Sequence, residues 1–141
     1  MIEVAQMDPI FKKKISILIR LASIDGDFAN VERSFIHSVC DKNGISRVEC
    51  EKLIDNPEPI GTLGALSYPK VVDYMTDCLA LMLADGNILP SEVILCEDIG
   101  LRLGFAKTSI DKIINELRDN LSISPNKIYE LVYALPHFGK V

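Results

Sequence analysis

The chain has 141 residues, of which 48% are apolar and 25% charged, with a formal net charge of −5. This is the balance of one globular domain long enough to bury a core, and it argues against a non-specific nucleic-acid binder, which needs a basic face. The opening Met1-Ile2-Glu3-Val4 lacks the basic and apolar regions of a secretory signal, and the most apolar run, Cys78 to Ala84, is closed by Asp77 and Asp85, far short of the ~20 residues that cross a bilayer. A cytoplasmic location is the expectation.

In chain order the pattern is helix after helix. Asp8-Pro9 starts the first, with Asp as N-cap and Pro at the first helical position. From Ile10 to Ile24 apolar residues occupy nearly every face, which predicts a mostly buried helix. Lys12, Lys13 and Lys14 read as its solvated first turns. A second helix is predicted from about Asn30 to Lys42, with Phe28, Val31, Phe35, Ile36 and Val39 inward, and Asn43-Gly44 ending it. Ser46-Arg47-Val48-Glu49 is a capping box for a third helix to about Asp55. Residues 56–69 hold three prolines and two glycines, a connecting segment with room for a helical turn near Leu63 to Leu66.

The pattern then restarts. Residues 69–84 are apolar nearly all round. Pro90 opens a helix to about Leu103, ended by Gly104. Thr108 and Asp111 open a sixth helix with Ile110, Ile113, Ile114 and Leu117 inward, and Ser124-Pro125 open a seventh over about 124–138. Sustained two-residue alternation is missing throughout, so no sheet is expected. The four cysteines (Cys40, Cys50, Cys78, Cys96) form no CxxC pair, and His37 and His137 are isolated. Buried reduced thiols and structural histidines are the expectation.

One short motif occurs twice, 60 residues apart: Asp25-Gly26-Asp27-Phe28 with Glu32, and Asp85-Gly86-Asn87-Ile88 with Glu92. At the same offset Leu21 matches Leu81, Gly44 matches Gly104, and Phe35, Val39, Ile45 and Leu53 match Leu95, Ile99, Phe105 and Ile113. Punctuation and core positions recurring in phase mark a duplicated supersecondary unit. The expected fold is all-α: a single domain over 1–141, a bundle of about seven helices. Its repeat units are about 9–55 and 69–119. The apolar helices at 10–24 and 69–84 form a central pair around a pseudo-two-fold axis.

Asp-Gly-x-apolar-x-x-x-Glu resembles the second half of an EF-hand loop, but the oxygen ligands that should precede it are replaced by Leu21 and Ser23 in one copy and by Leu81 and Leu83 in the other. A calcium loop is therefore not expected. In a structural reading Glu32 and Glu92 fall at the third position of their helices and reach back to free N–H groups, while Gly26 and Gly86 turn the chain left-handed. In a functional reading Asp25, Asp27, Glu32, Asp85 and Glu92 hold a hard divalent cation such as Ca²⁺, Mg²⁺ or Mn²⁺, or a basic partner, with the first copy more acidic because Asp27 stands where the second has Asn87. Tyr68, Tyr74, Tyr129, Tyr133, Pro136 and Phe138 offer an aromatic patch near the last helix.

The two copies, Leu21-Ala22-Ser23-Ile24-Asp25-Gly26-Asp27-Phe28 with Glu32 and Leu81-Met82-Leu83-Ala84-Asp85-Gly86-Asn87-Ile88 with Glu92, resemble the TerB-like family of tellurite-resistance and stress proteins. They also resemble the N-terminal region of membrane-anchored J-domain co-chaperones. The likeness spans roughly Pro9 to Leu117. It implies an all-helical bundle with acidic clusters that bind metal ions and act in membrane-associated stress complexes, with Asp25, Glu32, Asp85 and Glu92 as site residues. The chain carries no GxSxG, P-loop, Cys/His nucleophile pairing or dinucleotide fingerprint. The expected function is a non-enzymatic adaptor with a protein partner, binding neither nucleic acid nor membrane through a span of its own. Alternatives are a metal-dependent enzyme using the paired carboxylates, or a self-associating structural module.

Overall fold

The computed structural model describes residues 9–24, 30–57, 63, 66–84 and 86–137. Within them the chain forms seven helices: α1 (Pro9–Ser23), α2 (Asn30–Lys42), α3 (Arg47–Asp55), α4 (Tyr68–Leu83), α5 (Pro90–Arg102), α6 (Lys107–Arg118) and α7 (Pro125–Tyr133). Among the described residues there is no strand, only one isolated antiparallel bridge between Phe105 and His137. The fold is all-helical, as the periodicity requires. No helix among the described residues is long and apolar enough to cross a membrane.

The two helices that are apolar all round form the interior. In α1, Phe11 and Ile15 through Ile19, then Leu21 and Ala22, are buried; in α4, Val71, Val72, Tyr74 to Thr76 and Cys78 to Leu83 are buried. They pack on each other. Around them α1 touches α2, α3 and α5, α4 touches α5 and α7, and α3 and α6 pack on α2 and α5. The amphipathic helices present the faces read from sequence: Ile110, Ile113, Ile114 and Leu117 of α6, and Ile128 and Val132 of α7, are buried.

Several boundaries differ from the sequence expectation. Asp8 lies outside the described residues, so the N-cap of α1 is undescribed, and so are Phe28, the side chain of Val31 and most of the segment around Leu63 to Leu66. Ser46 accepts from the Glu49 amide at 3.2 Å, but the reciprocal arm of the capping box is not made, and Glu49 lies 3.6 Å from Lys52 instead. The cap of α6 is Ala106, not Thr108. Phe105 is fully buried and bridged to His137, so the chain must turn immediately after it. The last helix ends at Tyr133 rather than near 138, because Pro136 cannot continue it and His137 is drawn away to Phe105.

That return of the chain depends on Gly104. Its φ is +100°, and an added Cβ would lie 2.5 Å from His137 Nε2. The imidazole fills the space: its Nε2–H donates to the Leu103 carbonyl at the end of α5, and the ring stands edge-on to Phe105 at 4.8 Å and against Tyr68 at 4.9 Å. Gly104→Ala must therefore strain the backbone and expel the ring together. We expect a loss of about 2–4 kcal/mol by urea denaturation, above the ~1 kcal/mol of a positive-φ penalty alone.

Candidate functional site

The repeated motif can be followed residue by residue. Asp25, Asp27 and Asp85 lie outside the described residues. Glu92 is at the third position of α5, only 2% exposed, and its Oε1 accepts from the Leu89 amide, the N-cap, at 3.0 Å. A carboxylate there meets an otherwise orphaned N–H and the positive end of the helix. Glu32 is buried in the first turn of α2, 4% exposed. Gly86 has φ +80°, the left-handed turn expected of the motif. In the second copy the motif thus acts as a helix junction, with its Glu committed inward. Among the described residues no three His, Cys, Asp or Glu side chains come together as a metal-sized group.

A different set of charges is brought together by the fold. Lys14 is not part of a solvated first turn: it is 8% exposed, and its Nζ lies 2.7 Å from Asp73 Oδ2 and 2.5 Å from Asp77 Oδ2, both on α4. Burial pulls the Lys14 pKa down, but the carboxylates, Asp77 foremost, outweigh it and hold the ammonium above the ordinary lysine value. Burial pushes Asp77 up against the pull of Lys14. Tyr74, one residue from Asp73, also meets α1: its hydroxyl donates to the Ile10 carbonyl. Tyr74 is 1% exposed, so it belongs to the core and not to the aromatic patch expected of it.

The ion-paired cluster floors an open groove of about 480 Å³. Lys42 and Asn43 at the end of α2 and Lys70 in the first turn of α4 rim it; Val39, Pro69 and Tyr129 line its walls. Neither Lys42 nor Lys70 forms an ion pair among the described residues, although the Lys42 charge acts at longer range on Asp77. From Tyr129 the surface continues onto Tyr133, whose ring stacks at 6.1 Å, and Tyr68, whose hydroxyl donates to the Tyr133 carbonyl at 2.7 Å. Phe138, also assigned to this patch by sequence, lies outside the described residues.

Other reactive groups are held quiet. All four cysteines are free and buried, and burial pushes each thiol up. A protonated, enclosed thiol is a poor nucleophile and a poor ligand. His37 lies 3.4 Å from Glu51, which Arg33 clasps at 2.6 Å across α2 and α3. Glu97 of α5 is raised by a hydrogen bond with Asp111 of α6 and by burial.

The sequence signal for the Lys14 cluster was available. Asp73 and Asp77 are four apart on a largely apolar helix, and so share a face. Two acids on a helix destined for the interior require a cation, and Lys14 is the one that α1 supplies. Comparison with known proteins adds nothing to this geometry: no family model, no curated protein and no solved structure matches the chain.

Two expected outcomes follow from these contacts. Lys14→Met strands two carboxylates in the seam, and should cost about 2–3 kcal/mol, below the ~3–5 kcal/mol of a fully buried pair because the Asp73 side chain is 41% exposed. Because the folded-state pKa of Lys14 is raised, its contribution is complete below the unfolded value of 10.5 and fades as pH rises through the higher folded one. Urea melts of wild type and K14M should therefore converge in strongly alkaline buffer. For Glu92, a cap and a metal ligand separate cleanly. As a cap, Glu92→Gln still accepts from Leu89 and loses under ~1 kcal/mol, whereas Glu92→Ala loses about 1–2 kcal/mol. Calorimetric titrations with Ca²⁺, Mg²⁺ or Mn²⁺ should then be the same for wild type and E92Q; a binding isotherm abolished in E92Q would return Glu92 to a ligand role.

Proposed function

We propose that the chain is a non-enzymatic adaptor, a TerB-like helical module of a stress or metal response that engages a protein partner through the groove between α1, α2, α4 and α7. The observation that carries this reading is the pairing of a locked floor with an unlocked rim. Lys14, Asp73 and Asp77 satisfy one another, while Lys42 and Lys70 stand at the mouth without an ion-pair partner among the described residues. A rigid base presenting unpaired charge beside tyrosine suits recognition. It does not suit proton transfer, because two carboxylates keep the Lys14 ammonium protonated.

The resemblance carried by the two Asp-Gly copies supports the setting, a partner within a membrane-associated complex in the cytoplasm. The same resemblance offers the acidic turns as a cation or basic-partner site. That reading uses Asp25, Asp27, Glu32, Asp85 and Glu92, of which Glu92 also accepts from the Leu89 amide at the start of its helix.

The adaptor reading is tested by site-specific photocrosslinking in cells, with p-benzoylphenylalanine in place of Lys70 or, as the control, of Glu116 on the exposed side of α6. A discrete crosslinked product from position 70 that is absent from position 116 is expected. Identical products from both positions, or none from either, would overturn the proposal.

A further inference from the structure

The groove and the tyrosines beside it define what kind of segment they take. Four observations converge. The two rim lysines are exposed and unpaired among the described residues, on a chain whose net charge is −5, so this patch runs against the overall charge. Tyr129 lines the groove and stacks on Tyr133 at an interplanar angle of 27°. Tyr133 is 45% exposed, an aromatic ring left at the surface although the core had room for Tyr74. Tyr68 packs edge-on to Tyr133 at 5.0 Å and donates to its carbonyl, so the three rings are already in contact without a partner.

We infer that this strip binds an extended acidic peptide segment of a partner protein, with carboxylates on Lys42 and Lys70 and a neighbouring aromatic or apolar residue on Tyr129 and Tyr133. The inference rests on the adaptor reading and specifies its partner. Carboxylates suit the rim because Asp73 and Asp77 are already neutralised in part by Lys14, leaving the outer lysines as the charges a ligand meets first. Tyrosine suits the adjoining position because a preordered ring gives a large contact area at little entropic cost. The groove is open to solvent, which fits a chain laid across it. A nucleic acid of any length would meet the acidic remainder of the surface.

The test uses the whole chain and three fluorescein-labelled decapeptides that share two phenylalanines and differ in carrying glutamate, glutamine or lysine elsewhere. Fluorescence anisotropy should show the glutamate peptide binding about tenfold more tightly than the glutamine peptide, with the difference shrinking as salt rises. K42E/K70E, both surface changes, should keep the helical far-ultraviolet spectrum and weaken the glutamate peptide by about tenfold, and Y133A by about threefold. Amide chemical-shift changes should cluster at Lys42, Lys70, Tyr129 and Tyr133. Equal affinity for glutamate and glutamine peptides, or indifference to K42E/K70E, would overturn the inference. Binding of the lysine peptide alone would overturn it while leaving an adaptor that works through its acidic turns. If no peptide bound at about 1 mM, the inference would fall, and the crosslink at position 70 would separately decide the adaptor reading.

Discussion

The contact between α1 and α4 is the constraint on which the rest of the molecule depends. Both helices are apolar on almost every face, so neither can be stable except inside something. Packed together they bury each other, but only along one side; the remaining apolar surface is what α2, α5 and α7 cover. Within that seam lies one charged cluster, Lys14 with Asp73 and Asp77. Apolar packing has no strong preference for one rotation or register over another. A buried ammonium that must meet two carboxylates does, because any slip leaves a desolvated charge unpartnered. Tyr74, donating to the Ile10 carbonyl, fixes the same crossing from the other helix. Lys14 and Tyr74 stand 60 residues apart in sequence, the offset of the repeated motif, and each reaches across the seam to the other helix.

This cluster also links fold to surface. Because Lys14 reaches inward, α1 contributes no free cation to the groove it floors. The outward charge comes instead from Lys42 at the end of α2 and Lys70 at the start of α4, helices whose positions are set by the same seam. The C-terminal segment completes the arrangement. α7 lies along α4 and brings Tyr129 to the groove, and the turn after Tyr133 returns His137 to the end of α5. The chain that leaves this wall is thus tied to the end of α5 through His137 and Gly104.

The repeated Asp-Gly…Glu motif changes meaning in this light. Read as chemistry, it offers a row of carboxylates. In the second copy its described members are structural: a left-handed glycine and a buried glutamate that caps the following helix. A carboxylate at a helix N-terminus within an apolar surround is already satisfied by N–H groups and dipole, and would have to give these up to hold a cation. Among the described residues, the exposed lysines of the groove, Lys42 and Lys70, lie away from this cap.

Much of this was determined by the sequence alone. The helical period, the Pro and Gly punctuation and the in-phase recurrence of core residues specify seven helices and the two buried ones, because these signals are local and each is read within a turn or two. The capping role of Glu92 was legible for the same reason: cap and helix are three residues apart. What only the tertiary structure decided depends on distance along the chain. Lys14 looked solvated beside Lys12 and Lys13, and becomes buried only when α4 places two carboxylates opposite it, the nearer in sequence 59 residues later. Tyr74 reads like the other tyrosines and differs from them only in facing α1. Ala106 caps α6 because Phe105 is held by a residue in the C-terminal segment. Periodicity says which face of a helix turns inward; it does not say which side chain of another helix will be there to meet it.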